Sequence, residues 1–309
     1  MTTADRHVDS ARITRARDAE LAAVIVNYNA GPYLKRCLRS LERHRGAIEF
    51  DVLVIDNASH DSSHLAAKAE YPWVRLVANP DNRFLSPAWN QGARETTAPF
   101  LLFLNPDAEW WSGTLADLVR VARQHPKAGM VGPLIRNMDG TVYPSGRPFL
   151  NVLDAAGHAF LGPFLPRNRF TRRYHMNGWD RSTEREVDWV SGACFLMPRA
   201  AFDAVGGFDE SFLLYGEELD LATRLQALGW TTVFTPEVEV LHEIGVSTGR
   251  TRASIQMHSD SIYRYYRKHR TSGWRRALLP LAWVALHVRA EIVWLAGTLR
   301  RQQRRPGRA

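Results

Sequence analysis

Cysteine is nearly absent. Cys37 and Cys194 are the only two in 309 residues. Two cannot build a disulfide framework, and no CxxC or Cys/His cluster offers a structural zinc site. A reducing cytosol is therefore the expected compartment. The sequence has no GxxxxGKS/T phosphate loop and no GxGxxG, which weighs against a P-loop NTPase and a dinucleotide dehydrogenase. No internal repeat is present. Residues 1–20 are polar with mixed charge and lack the apolar core of a signal peptide, so they read as a disordered leader. A long uninterrupted apolar run is missing too. The nearest, residues 277–299, is broken by Pro280, His287, Arg289 and Glu291, and charges near the centre of a spanning helix are costly.

What is present is ordinary globular composition, 45% hydrophobic and 23% charged, which excludes a disordered or fibrous chain. Ten tryptophans are many for this length. The net charge of +8 is unevenly placed. From Arg264 onward there are twelve Lys/Arg and one acid, Glu291, which leaves 28 basic and 31 acidic residues before it. The body is slightly acidic and is no nucleic-acid binder; the positive charge belongs to the C-terminus and suits a phosphate-rich surface.

Apolar runs at 21–26, 52–55, 74–77 and 100–104 predict strands. Helical periods lie between them: after Pro32, with Leu34, Cys37, Leu38 and Leu41 on one face, and from Ser86 to Arg94. Each strand is apolar throughout, which predicts a parallel sheet buried on both faces. Polar residues gather where the strands end: Asn27, Tyr28 and Asn29; Asp56 and Asn57; Asn105 and Asp107. In open α/β sheets ligands bind in the crevice at those ends. Residues 143–175 show no sustained period and read as a flexible loop over the site. Residues 187–197 return to order, helices follow near 199–205 and 216–228, and 231–235 and 238–241 read as two strands.

Taken singly, the polar residues have two readings each. Asn105-Pro106-Asp107 could hold a divalent cation through oxygen ligands, or simply turn the chain. Asp56-Asn57 could meet a base or ribose, or cap a helix. Glu217, Glu218 and Asp220 open a helix, where acids are favoured by the macrodipole. Asp220 and Arg224 are spaced to pair on the surface, whereas Glu218 shares a stripe with Ala222 and Leu225 and should point inward as a candidate general base. His242 ends a strand and is either structural or a neutral imidazole ligand.

Eight segments, in order, carry a resemblance: VIVNYN (24–29), VIDNASHDSS (54–63), NPDNRFLSPAWNQG (79–92), FLNPD (103–107), SGACFLMPR (191–199), GGFDESF (206–212), LYGEELDLATRL (214–225) and LHEIGVST (241–248). Together they resemble glycosyltransferase family 2 with the GT-A fold. The NPD form and the GGFDE and GEELD stretches look most like rhamnosyltransferases of bacterial cell-envelope assembly. The resemblance implies one Rossmann-like, mostly parallel sheet flanked by helices. It divides the chain into a catalytic unit at 21–250 (nucleotide-sugar half 21–110, acceptor half 111–250) and a basic helical extension at 251–309.

The resemblance further implies an inverting transfer, with dTDP-L-rhamnose as the expected donor and a glycan or polyprenyl-linked saccharide as acceptor. Asn27, Tyr28, Asn29, Asp56, Asn57, Asn82, Arg83, Asn105 and Asp107 are then expected on the donor. Asp107 and His242 are expected on a magnesium or manganese ion. Glu218 is the expected base, with Asp220 the fallback because Glu217-Glu218 stands where the family has Glu-Asp. Arg83 replaces the family's usual glycine. Ser191, Gly192, Asp209 and Glu217 are expected on the acceptor side. A non-catalytic nucleotide-sugar-binding protein remains a competing class, and nucleic-acid binding through the basic end a weaker one. In the extension, Leu281, Val284, Val288, Ile292, Leu295 and Leu299 form an apolar stripe, with Trp283 and Trp294 at a headgroup boundary and Arg300, Arg301, Arg304 and Arg305 beyond. This predicts an interfacial helix at the inner face of the plasma membrane, or one packed on the catalytic unit or on a second subunit of a homodimer.

Overall fold

The computed structural model describes residues 19–162, 164–243 and 251–303. Most of the expected leader, the end of the last motif and Arg304 and Arg305 lie outside the described residues, as does residue 250 at the expected boundary. The chain begins β1 (Leu21–Asn27), α1 (Pro32–Arg43), β2 (Phe50–Asp56), α2 (Ser63–Glu70), β3 (Arg75–Ala78), α3 (Leu85–Arg94) and β4 (Phe100–Leu104). It continues with β5 (Ala108–Ser112), α4 (Leu115–Gln124), β6 (Ala128–Arg136), β7 (Val142–Tyr143), β8 (Gly146–Arg147), α5 (Val152–Leu161) and α6 (Arg169–Tyr174). The remainder is β9 (Arg185–Val187), β10 (Trp189–Val190), β11 (Cys194–Pro198), α7 (Arg199–Ala204), α8 (Glu217–Ala227), β12 (Thr231–His242), α9 (Arg252–His269) and α10 (Leu279–Gln303).

The main sheet runs β3-β2-β1-β4-β11-β6-β12-β5. β1 to β4 are mutually parallel, and β6 and β12 run the same way, so the sheet is mostly parallel. β11 is inserted antiparallel between β4 and β6, and β5 pairs antiparallel with β12. These reversals position the site. The start of β11 lies beside the end of β4, where Asn105 N donates to Ala193 O at 2.9 Å. The end of β12 lies beside the start of β5, with His242 opposite Ala108. Asp107 and His242 are therefore neighbours although 135 residues apart.

Both faces of the sheet are covered. α1, α2 and α4 pack one side; α3, α7 and α8 pack the other around Trp89, Phe103, Phe195 and Phe208. Trp89 and Phe208 each meet the Phe103 ring, at 5.4 and 4.9 Å. Gly92 lets α3 lie against β1: a Cβ there would sit 2.3 Å from Val24 Cγ1.

Three expectations are corrected. The strands expected at 231–235 and 238–241 form one strand, β12, whose register slips between Thr235 and Glu239 because Pro236 has no N–H for the ladder. Residues 143–175 are no loop: they hold β8, α5 and α6, with Asn151 and Asn168 side chains capping the two helices. α5 has no buried residue, so it carries no apolar period to read. Residues 187–197 divide among three short strands.

The last helix turns its charged side toward the protein. Arg289 Nε donates to Ala159 O at 2.6 Å, and Glu291 accepts from Arg252 Nε at 2.9 Å and Gln256 Nε2 at 2.7 Å. Leu281, Val284, Val288, Ile292 and Leu295 are left exposed, so within one chain the stripe is not packed on the catalytic unit. Trp294 turns inward, under Arg252, while Trp283 stays outside. The segment Arg276–Thr298 is also long and apolar enough to cross a membrane, by length and composition alone.

Candidate active site

A cavity of about 1240 Å³ opens at the strand ends. Its lining includes Tyr28, Asn57, Asn82, Asn105, Asp107 and His242, together with Ser191, Gly192, Glu217 and Glu218. Residues from five loops, the first turn of α8 and the end of β12 thus meet in one space.

The donor side is built on two buried networks. Asn27 Nδ2 donates to Asp56 Oδ1 at 2.6 Å and to Ser63 Oγ at 3.0 Å, and Ser59 Oγ donates to Asp56 Oδ1 at 2.6 Å. Asn27 and Asp56 therefore fasten β1 to the loop after β2 and do not line the cavity. Asn29, with φ +52°, fixes the same loop by accepting from His60 N at 2.7 Å. In the second network Asn79 Nδ2 donates to Asn57 Oδ1 at 3.0 Å, and Asn57 Nδ2 donates to Phe84 O at 2.9 Å. This holds the stretch from Asn82 to Leu85 over the cavity, with Phe84 at φ +62°. Arg83 points elsewhere, 3.8 Å from Asp81, and is not in the lining.

Asp107 Oδ1 lies 3.3 Å from His242 Nε2. A carboxylate oxygen and an imidazole nitrogen this close are two suitable donors for a divalent ion whose other positions are filled by ligand oxygens. The donor set fits such an ion, although among the described residues no cluster of three or more His, Cys, Asp or Glu surrounds it.

Across the cavity, Gly216 at φ +81° turns the chain into α8. Glu218 Oε1 accepts from Gly192 N at 3.4 Å. Glu218 Oε2 is buried and has no hydrogen-bond partner among the described residues. Burial pushes the Glu218 carboxyl above the ordinary range, while the backbone N–H groups and the Arg147 guanidinium pull it back. Glu217, buried beside it, is pushed further up by burial and by the Glu218 charge. A carboxyl so poised can accept a proton near neutral pH.

Asp220 does not share this space. It is 1% exposed and accepts from Arg224 Nε, Lys268 Nζ and His269 Nε2, each at 2.7 Å. The expected surface pair with Arg224 is thus a buried cluster, and a carboxylate held by two cations and an imidazole is no base. Asp209 is also outside the lining: it accepts from Lys268 Nζ at 2.6 Å and from Ser211 N at 2.9 Å. Partial burial works against its charge, but these donors prevail and hold the carboxyl at about 2.

Sequence reading missed Arg147. Its guanidinium donates to the hydroxyls of Tyr143 and Tyr174 and lies 5.1 Å from the Trp189 ring. It is 7% exposed. Nothing in the local pattern marks it, because its partners come from β7, α6 and β10; the only trace was the density of Arg and aromatic residues there.

The comparisons with known proteins bear on the family and the fold. The family model described as glycosyl transferase family 2 matches residues 22–206, and glycosyl transferase family group 2 matches 165–300. An N-acetylglucosaminyl-diphospho-decaprenol L-rhamnosyltransferase of Mycobacterium tuberculosis is 40% identical over 302 residues, covering 92% of this chain and 96% of the relative. Among solved structures, the mannosyltransferase PcManGT from Pyrobaculum calidifontis, in complex with GDP-Man and Mn2+, superposes with TM-score 0.57 at 18% identity, over 93% of this chain and 76% of its own. GalNAc-T7 with UDP, GalNAc and Mn2+ gives 0.56 at 16%, over 79% of this chain and 47% of its own. At these identities the two structures speak for the fold, that of GT-A enzymes, as the sequence implied.

Asp220→Asn is expected to cost about 3 kcal/mol in urea unfolding, the low end for breaking a buried ion pair, because Lys268 keeps 35% of its side chain in water. Nucleotide-sugar affinity should stay within a few-fold of wild type. Unchanged stability with lost turnover would return Asp220 to the role of base.

Proposed function

The chain belongs to glycosyl transferase family 2, and from that premise we propose that it moves L-rhamnose from dTDP-L-rhamnose, with inversion, onto N-acetylglucosaminyl diphosphopolyprenol. The observation that carries the reading is one cavity holding the Asp107–His242 donor pair and the free, buried Oε2 of Glu218. The activity named for the Mycobacterium tuberculosis relative supports the sugar and the acceptor.

In this reading Tyr28 and Asn57 face the nucleotide, and Asn82, Asn105 and Asp107 face the diphosphate side. Asp107 and His242 hold magnesium or manganese. When bound, that ion supplies Lewis-acid neutralisation of the leaving diphosphate. Ser191 and Gly192 bound the acceptor side, and Glu218 Oε2 takes the proton from the acceptor hydroxyl as its oxygen attacks the anomeric carbon. Gly192 N–H orients that carboxylate, and the Arg147 charge favours its ionised form. Glu217, in the same pocket, is pushed toward its protonated form by burial and by the Glu218 charge.

The protein sits at the cytoplasmic face of the plasma membrane, where a lipid-linked acceptor is presented. The exposed stripe of α10 and the basic sequence that follows it support this placement.

The test of the function is transfer of rhamnose to a synthetic N-acetylglucosaminyl diphospholipid; activity only with another sugar nucleotide would replace the donor. Glu218→Gln is expected to lower turnover by about 10²–10⁴, with donor affinity unchanged. The base must be ionised, so wild-type kcat/KM should fall as pH drops through a value above the ordinary glutamate range, and the variant should lack that limb. A profile flat down to pH 5 would contradict the assignment. Asp107→Ala should abolish manganese-dependent binding of the nucleotide sugar in calorimetry; wild-type affinity would reduce Asp107 to a turn residue. Full-length protein should float with anionic liposomes, less so at high salt. A Val284→Glu, Val288→Glu double variant should stay in the pellet fractions, and equal flotation of both would remove the membrane claim.

A further inference from the structure

The cavity does not stop at Glu218. It continues as one space into the cleft between α5, α9 and α10, where Ala159, Ile255, Ile262, Val293 and Trp294 line it. Neither nucleotide nor sugar requires an apolar extension of this kind.

Between the acidic end and the apolar end stands a cationic belt. Arg147 donates to the Tyr174 hydroxyl and lies 4.7 Å over that ring. His158 stacks on the other contact of Tyr174, with ring centroids 4.2 Å apart. Arg289 reaches across from α10 to the carbonyl of Ala159, the residue next to His158. Arg147, His158 and Arg289 all line the cavity. Among the described residues neither arginine has a carboxylate within ion-pair distance. Burial works against the charge of both: it lowers Arg289, whereas at Arg147 the neighbouring Tyr174, Tyr143 and Glu218 prevail and hold the guanidinium above its ordinary value; burial pushes His158 down to about 4, with Arg147 and Arg289 adding to the effect. A buried cation without a counter-ion is costly, whereas two guanidinium groups lining one cavity suit a phosphate group. In the proposed reading the donor's diphosphate is already accounted for at Asp107 and His242.

We infer that Arg289 and Arg147 form a subsite for the diphosphate of a prenyl diphosphate, whose hydrocarbon chain lies in the cleft between α9 and α10. This rests on the reading of a lipid-linked acceptor and extends it to the atoms that hold the lipid. The order along the cavity is then base, acceptor sugar, diphosphate, prenyl chain. The chain leaves the cleft beside the exposed stripe of α10, so one helix holds the headgroup with its inner face and meets the membrane with its outer face. That accounts for a helix whose charges point inward.

The probe is farnesyl diphosphate, titrated into the full-length protein in metal-free buffer with chelator, so that Asp107 and His242 cannot capture it. Tryptophan fluorescence reports binding, since Trp294 lines the cleft. Saturable binding is expected, at least tenfold tighter than isopentenyl diphosphate, with inorganic diphosphate weaker still. Arg289→Gln should weaken farnesyl diphosphate tenfold or more, Arg289→Lys should recover most of the loss, and farnesol should bind all three proteins alike. Equal affinity of wild type and Arg289→Gln overturns the subsite, as does a Lys variant no better than Gln, or inorganic diphosphate binding as tightly as the prenyl compound. The two readings fail separately. Binding in this manner without transfer to an N-acetylglucosaminyl diphospholipid keeps the subsite and sinks the function. Transfer with an unchanged KM for that acceptor in Arg289→Gln keeps the function and sinks the subsite.

Discussion

Asp220 is the point on which α8, α9 and the loop before α8 are assembled. A carboxylate 1% exposed must be paired to be buried at all, and its partners come from two helices. Arg224 is on its own helix, and also donates to Val205 O at the end of α7. Lys268 and His269 are the last turn of α9. The cluster therefore fixes α8 against α9 and against the preceding loop. With α8 fixed, the first turn of that helix is fixed, and Glu218 is held against Gly192. With α9 fixed, α10 follows, through Arg252 and Gln256 to Glu291. Lys268 extends the cluster to Asp209, so the GGFDE loop is held by the same cation.

The electrostatics of the cavity follow from what is spent elsewhere. Asp56, Asp209 and Asp220 are tied to donors in the fold, and only a few charges remain to face the space: Asp107, the Glu217–Glu218 pair, Arg147 and Arg289. Two adjacent buried carboxyls cannot both ionise at ordinary pH. The pair is nonetheless favourable for proton transfer, because the backbone N–H groups and Arg147 favour the charge on Glu218 over Glu217. The family's Glu-Asp pattern is altered here to Glu-Glu without moving the carboxylate out of reach of Gly192.

α10 shows why hydropathy alone misleads at a C-terminal helix. Its mean composition suits a span, and its stripe suits a surface helix. Which face meets what was decided by partners far away in sequence: Ala159 on α5 for Arg289, Arg252 for Glu291 and Asp260 for His287. A stripe that on most soluble helices would turn to the core is here the outside.

By itself, the sequence determined the sheet and its ligand edge. Uniformly apolar runs ending in Asn and Asp can only be buried strands with a polar crevice at their ends, so β1, β2 and β4 and the residues Tyr28, Asn57, Asn105 and Asp107 were legible from local pattern. The inward turn of Glu218 was legible from helical spacing. Tertiary structure decided the rest, because it depends on contacts that no window contains. Asn27 and Asp56 are the same residue types as Asn57 and Asp107, yet they satisfy each other below the surface. Asp220 was spaced for a surface pair, but Lys268 and His269 of α9 supplied the further partners that its burial needs. Arg147 had no pattern at all, since its site is made where β7, α6 and β10 converge. Local sequence sets which atoms need partners; only the packing of distant elements determines which partners they get, and so which are left for a substrate.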